Sequence, residues 1–184
     1  MYFSSSGPPS HNPVVVVTPW LYDGNAETGK SKFKALYDVG PMMDTTSIQP
    51  YTAWNSGADQ FGAPGFRKPV FSAGLQRLEA SSWREVWDSY TQFQQKRDGA
   101  HASIVLLEAY PMNERRFANE ANTSFPHRHV RFKAAVIPWY EDEGLDGEAV
   151  EMGKKVRQMW KDKGGMGEDE NATQVHMSFG ELNK

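Results

Sequence analysis

The residues best equipped for chemistry fall in one stretch, Ser124-Phe125-Pro126-His127-Arg128-His129, which runs on through Val130 and Phe132 to Trp139. An imidazole titrates near ~6.5 when unperturbed, so His127 is a candidate general acid or base. The guanidinium fork of Arg128 suits a carbonyl or enolate oxygen. His127 and His129 are two apart and would face the same way on a strand. With Glu108 they make a candidate metal set, although only two of the three ligands required are local. The plainer readings weigh more: His127 and Arg128 as turn caps bonded to backbone carbonyls, or Arg128 paired with Glu108 or Glu120. Glu108 closes the apolar run Ile104-Val105-Leu106-Leu107. It therefore faces the open side of a sheet or is kept neutral by burial. Tyr51 joins Arg128, His127 and Glu108 as a catalytic candidate. Trp54, Tyr110, His129, Phe132 and Trp139 are candidate walls of a substrate pocket, and each aromatic is equally at home in an ordinary core.

The elements that must position these side chains follow from pattern. Pro126 sets a rigid turn, and β-branched and aromatic residues then predict a strand that ends at Pro138. Val14 to Val17 reads as a strand buried on both faces, after a mobile tail over residues 1–13. Phe33, Leu36 and Tyr37 have helical spacing, stopped by Gly40-Pro41. Asp44 to Tyr51 and Pro69 to Leu78 read as strands, separated by a long glycine-rich loop over 54–68. Ser82 with Glu85 predicts a capping box, opening a helix with the stripe Trp83, Val86, Trp87, Tyr90 and Phe93. A strand from His101 to Tyr110, a helix from Asp146 to Lys163 and a closing strand from Thr173 to Phe179 complete the order. This is an α+β chain with an antiparallel sheet and helices packed on one face, expected as a single domain over 14–184.

Composition removes several function classes. The 184 residues carry a formal charge of −3 and no basic run, which argues against nucleic-acid binding. There is no cysteine, which excludes disulfides and thiolate chemistry. No apolar run approaches the ~20 residues of a membrane span, and no P-loop, dinucleotide fingerprint or nucleophile elbow is present. The expectation is a cytoplasmic protein. Its six Trp, ten Phe and seven Tyr predict a core built on a few large rings.

Taken in order, Phe33, Gly40-Pro41, Pro50-Tyr51, the helix around Trp83 and Trp87, Glu108-Ala109-Tyr110-Pro111-Met112-Asn113, and Phe125-Pro126-His127-Arg128 with Trp139 resemble the C-terminal half of fungal berberine bridge enzyme-like FAD-linked oxidases. The likeness covers about residues 14–180. It implies a substrate-binding domain, related to ferredoxin-like sheets, whose open face covers a flavin. In that family the flavin domain lies N-terminal to this half, whereas only a short tail precedes Val14 here. Ala134 and Ala135 stand where the family often has a polar catalytic side chain, and Gln174 to Ser178 replaces its tyrosine-containing segment. The resemblance therefore implies a substrate domain without its flavin domain.

The expected function is a cofactor-independent cyclase or isomerase of Diels–Alder type, acting on an apolar polyketide or terpenoid in secondary metabolism. Its pocket would fold a flexible substrate, and Arg128, His127 and Tyr51 would stabilise charge developing on a carbonyl. The rivals are the substrate-binding lobe of a split oxidoreductase, which would need FAD from a flavin-domain partner, and a non-catalytic carrier of an apolar metabolite. A bare apolar face also implies a covering partner, such as a second copy in a homodimer.

Overall fold

Period-two alternation and cross-strand register build the scaffold. The structure, a computed structural model, describes residues 1–22, 24–54, 56, 59, 64–96, 99–111 and 130–164. They contain a five-stranded antiparallel sheet of β1 (Tyr2–Ser5), β2 (Pro13–Val16), β3 (Phe71–Leu75), β4 (Ile104–Ala109) and β5 (Phe132–Ile137). The strand order is β2-β1-β4-β5-β3. The helices are α1 (Ala26–Lys32), α2 (Lys34–Asp38), α3 (Ala80–Lys96) and α4 (Asp146–Lys163). The expected α+β class, antiparallel sheet and helices on one face are all present.

Residues 2–5, read from the sequence as part of a mobile tail, form an inner strand instead. The Met1 ammonium donates to the Leu107 carbonyl at 3.0 Å, and the Leu107 N–H donates back to the Met1 carbonyl at 2.8 Å. Phe3 is buried against Trp83, Trp87 and Tyr90, with ring centroids 5.0 to 6.0 Å away. One large ring suffices to seat the strand, and the serines around it mask the pattern. The strand expected over 44–51 does not form: residues 43–50 are irregular and exposed. Among the described residues no partner strand pairs with its β-branched residues, so propensity alone does not order them.

Directly opposed residues share a face of the sheet. Phe3, Val105, Val136 and Phe71 lie in one row and Ala134 and Ala73 in the next, all in the buried core. Against this face pack Val86, Tyr90 and Phe93 of α3 and Ala149, Met152, Val156 and Trp160 of α4. The helical stripes read from the sequence are thus the packing surfaces. Trp83 and Trp160 meet between the helices at 5.7 Å, and Lys163 donates to Glu85 at 2.6 Å. That pairing replaces the expected capping box. Helix α3 begins at Ala80, its Trp83 N–H bonded to the Glu79 carbonyl at 3.1 Å, so Ser82 is already inside the helix. α4 approaches β3 through Gly153, where any Cβ would collide with the ring of Phe71.

Within the domain expected over 14–184, Thr18–Gly65 forms a second compact unit, distinct from the sheet and its two helices. It holds α1 and α2, which share Phe33 as the residue between them. Asn25 caps α1 by accepting from the Thr28 N–H at 2.9 Å. The segment predicted as closing strand, 173–179, lies outside the described residues.

Candidate functional site

The sheet face turned away from α3 and α4 carries several of the residues singled out from the sequence. Register assigns to it Ser72 and Gly74 of β3, Ile104, Leu106 and Glu108 of β4, and Lys133, Ala135 and Ile137 of β5. Gly74 is small because Val130 sits on it: an added Cβ would stand 2.8 Å from a Val130 methyl. Ser72, Ile104 and Ala135 are buried, while Leu106, Glu108, Lys133 and Ile137 are half-buried. This face therefore has an apolar centre with charged residues at one end.

At that end Glu108 stands directly opposite Lys133. The Lys133 ammonium also lies 5.7 Å from the ring centroid of Tyr110, which is half exposed just beyond β4. Glu108 and Tyr110 are thus brought together, and Lys133 joins them, a residue the sequence reading passed over. The signal was available: strand alternation puts Glu108 and Lys133 in phase on the less apolar face.

Phe132 departs from its expected role as a pocket wall. It lies opposite Ala109 and Leu75 and packs against the helix-covered core. An aromatic ring at the first position of β5 fills the space beside Leu75, so the phase of the strand decides its side. Trp139 stands beyond the other end of β5, whose six residues span roughly 17–20 Å. Its backbone N–H donates to the buried Ser103 hydroxyl at 2.9 Å. Its ring takes an edge from Phe66 at 5.9 Å and the Lys68 ammonium at 4.1 Å over its face. Trp139 and Glu108 therefore mark opposite ends of the face. Nearby, Tyr140 donates to Asp146 at 2.9 Å, and Arg67 donates to the other Asp146 oxygen at 2.8 Å. Burial, reinforced by that carboxylate, pushes the Tyr140 hydroxyl up to about 12.

Tyr51 and Trp54 lie in the second compact unit. Tyr51 opens the 3-10 turn Tyr51–Ala53, and its ring is 5.2 Å from Trp54. Trp20 at 4.8 Å and Tyr22 at 6.3 Å complete an aromatic cluster around Trp54. Trp20 and Tyr22 were missed because they follow a strand signal in a stretch with no periodicity. His127, Arg128 and His129 lie outside the described residues. Among the described residues no three potential ligands gather around a metal position, and no helix is long and apolar enough to cross a membrane.

No protein-family model matches the chain. Curated relatives do. It is 28% identical over 160 residues to FAD-linked oxidoreductase hasG of Aspergillus fumigatus, covering 82% of this chain and 34% of hasG. It is 23% identical over 149 residues to FAD-linked oxidoreductase OXR1 of Pyricularia oryzae, covering 77% and 29%. Against FAD-linked oxidoreductase azaG of Aspergillus niger it is 22% identical over 177 residues, covering 92% and 37%. The chain spans about a third of the length of these relatives. Among solved structures, it aligns with a berberine bridge enzyme variant described as a reticuline dehydrogenase, with a TM-score of 0.57 at 13% identity over 76% of this chain and 30% of that one. The fold is that of a partial berberine bridge enzyme-like domain. CrmK, a flavoenzyme of caerulomycin biosynthesis, shares this fold with a TM-score of 0.54 and 22% identity, over 78% of this chain and 30% of CrmK.

A flavin dinucleotide needs backbone donors or cations for its pyrophosphate. The described first turns of α4 and α1 do not fit that need. The first turn of α4 carries Asp146 and Glu148, which repel phosphate, and α1 opens with Glu27. No glycine-rich turn leads from a strand into α3 or α4. The second face of the sheet combines an apolar centre with Glu108 and Lys133 at one end.

Proposed function

We propose that this chain is the substrate-side lobe of a FAD-linked oxidoreductase, holding an apolar metabolite on the second face of its sheet while other residues supply the flavin site. The observation that carries this reading is the chemical gradient along that face, from Ile137, Ala135 and Leu106 to Glu108, Lys133 and Tyr110. Apolar area contributes affinity, and the charged end orients a carbonyl or hydroxyl group. The relatives, all named as FAD-linked oxidoreductases, support it, as does a structural neighbour from a biosynthetic pathway.

The flavin-free cyclase expected from the sequence is the second reading, favoured by the acid and base side by side at Glu108 and Lys133. In it those two residues, with Arg128 and His127, would stabilise charge on a folded substrate, and the flavin would play no part. One set of measurements separates the two. The purified chain is scanned for flavin absorbance, its co-purifying small molecules are identified by mass spectrometry, and Leu106→Arg is compared. The lobe reading expects an apolar ligand that Leu106→Arg removes, with no turnover by the chain alone. Turnover abolished by Arg128→Ala would favour the cyclase. A Leu106→Arg variant that keeps the full ligand load would overturn both.

A further inference from the structure

The free edge of β2 is the feature that the proposed ligand site leaves unexplained. Among the described residues, β2 has β1 on one side and no strand on the other. The Ser6 N–H bonds to the Asn12 carbonyl at 2.8 Å, which fixes the phase of this ladder. Bonded pairs alternate along an antiparallel ladder, so Val14 and Val16 turn their N–H and C=O groups toward β1. Val15 and Val17 turn theirs outward. Their side chains are uncovered as well, 50% and 46% exposed.

Free edges in soluble proteins are usually guarded by a charge, a bulge or a covering segment. This one carries no Asp, Glu, Lys or Arg anywhere in residues 1–22. Within the strand its guard is Pro13, which lies in the outward phase and has no N–H to give. It shortens the segment open to pairing without preventing it. We infer that β2 pairs with β2 of a second copy of this chain, antiparallel about a two-fold axis at Val16.

The four consecutive valines favour that occupant over an unrelated strand, since an unbroken run is its own complement when reversed. In the register that opposes Val15 to Val17 of the second copy, every outward donor and acceptor of these two residues is used, giving four hydrogen bonds. A register centred on Val15 also forms four hydrogen bonds, but it sets Pro13 against Val17 and leaves the Val17 carbonyl without a donor. A closed two-fold contact uses up both edges and ends the assembly at a dimer. The contact is small, so the dimer is weak and concentration-dependent.

Sedimentation velocity on the whole chain, from about 5 to about 500 µM, reads this directly. The wild-type chain should pass from monomer to dimer, with the Val15 and Val17 amides gaining hydrogen-exchange protection only at the high end. Val15→Pro removes an outward donor without touching the bonds to β1, and Val15→Lys places a charge at the contact. Both should weaken dimerisation at least tenfold. The double variant Met42→Lys, Met43→Lys, which alters exposed apolar residues elsewhere, should dimerise normally. If Val15→Pro does not fold, Val15→Lys carries the comparison. A chain that is monomeric throughout, a dimer that survives both Val15 variants, or one lost only in the methionine variant would each overturn the inference.

Discussion

Gly153→Ala in α4 tests the packing that holds the candidate face in place. In an exposed helix interior this change stabilises by about 0.8–1.0 kcal/mol, because alanine loses less backbone freedom on folding. Here the new Cβ would stand 2.6 Å from Cγ of Phe71 and closer still to two edge carbons of the ring. Phe71 is 1% exposed, opposed to Val136 in the sheet, and lies under the Arg157 guanidinium at 5.9 Å. It has nowhere to turn, so α4 must lift or β3 must shift, at an overpacking cost of about 1–3 kcal/mol. With the ring held on both sides the upper part of that range applies, and after the propensity gain the net expectation is a loss of up to about 2 kcal/mol. Gly147→Ala is the control. It lies in the first turn of the same helix with no atom within 4 Å of its added Cβ, and should gain up to about 0.5–1 kcal/mol. Urea unfolding followed by tryptophan fluorescence measures both midpoints. The reasoning fails if Gly153→Ala unfolds at or above the wild-type midpoint, since α4 would then stand farther from β3 than the structure shows.

Two further outcomes follow from the same geometry. The Tyr140 hydroxyl is raised to about 12 in the fold, against about 10 when unfolded, and burial raises Tyr90 as well. A raised value favours the protonated form in the fold, so the stability it brings is complete below about pH 10 and declines as pH rises toward 12. Absorbance at the tyrosinate band should show these two tyrosines ionising only as the chain unfolds, and early ionisation of both would contradict the burial. Phe132→Ala should cost about 2–4 kcal/mol, since the ring packs against the core beside Leu75. Ligand affinity per folded molecule should be unchanged; a variant of full stability with lost binding would return Phe132 to the pocket wall.

Much of the scaffold was legible from pattern because its signals are local. The stripes from Trp83 to Phe93 and from Ala149 to Trp160 declared their helices and buried faces, since a 3.6-residue period needs no knowledge of the partner. The runs Ile104–Leu107 and Phe132–Ile137 declared strands for the same reason. The resemblance carried by Glu108-Ala109-Tyr110-Pro111 and Phe125-Pro126-His127-Arg128 likewise pointed to a berberine bridge enzyme-like domain, which the fold bears out. The strand expected over 44–51 failed on the opposite ground: β-propensity is realised only where a neighbour accepts the hydrogen bonds.

By itself, then, the sequence determined which segments are amphipathic and on which period, because that information is written in neighbouring residues. Tertiary structure decided what lies across from what. Strand pairing set Lys133 beside Glu108, turned Phe132 to the core, and sent Trp139 to the far end of the face. It also drew Tyr2–Ser5 into the sheet between β2 and β4. Those outcomes depend on contacts across gaps from 25 residues, for Glu108 with Lys133, to 106, for Met1 with Leu107, and no local pattern along the chain fixes which strands pair.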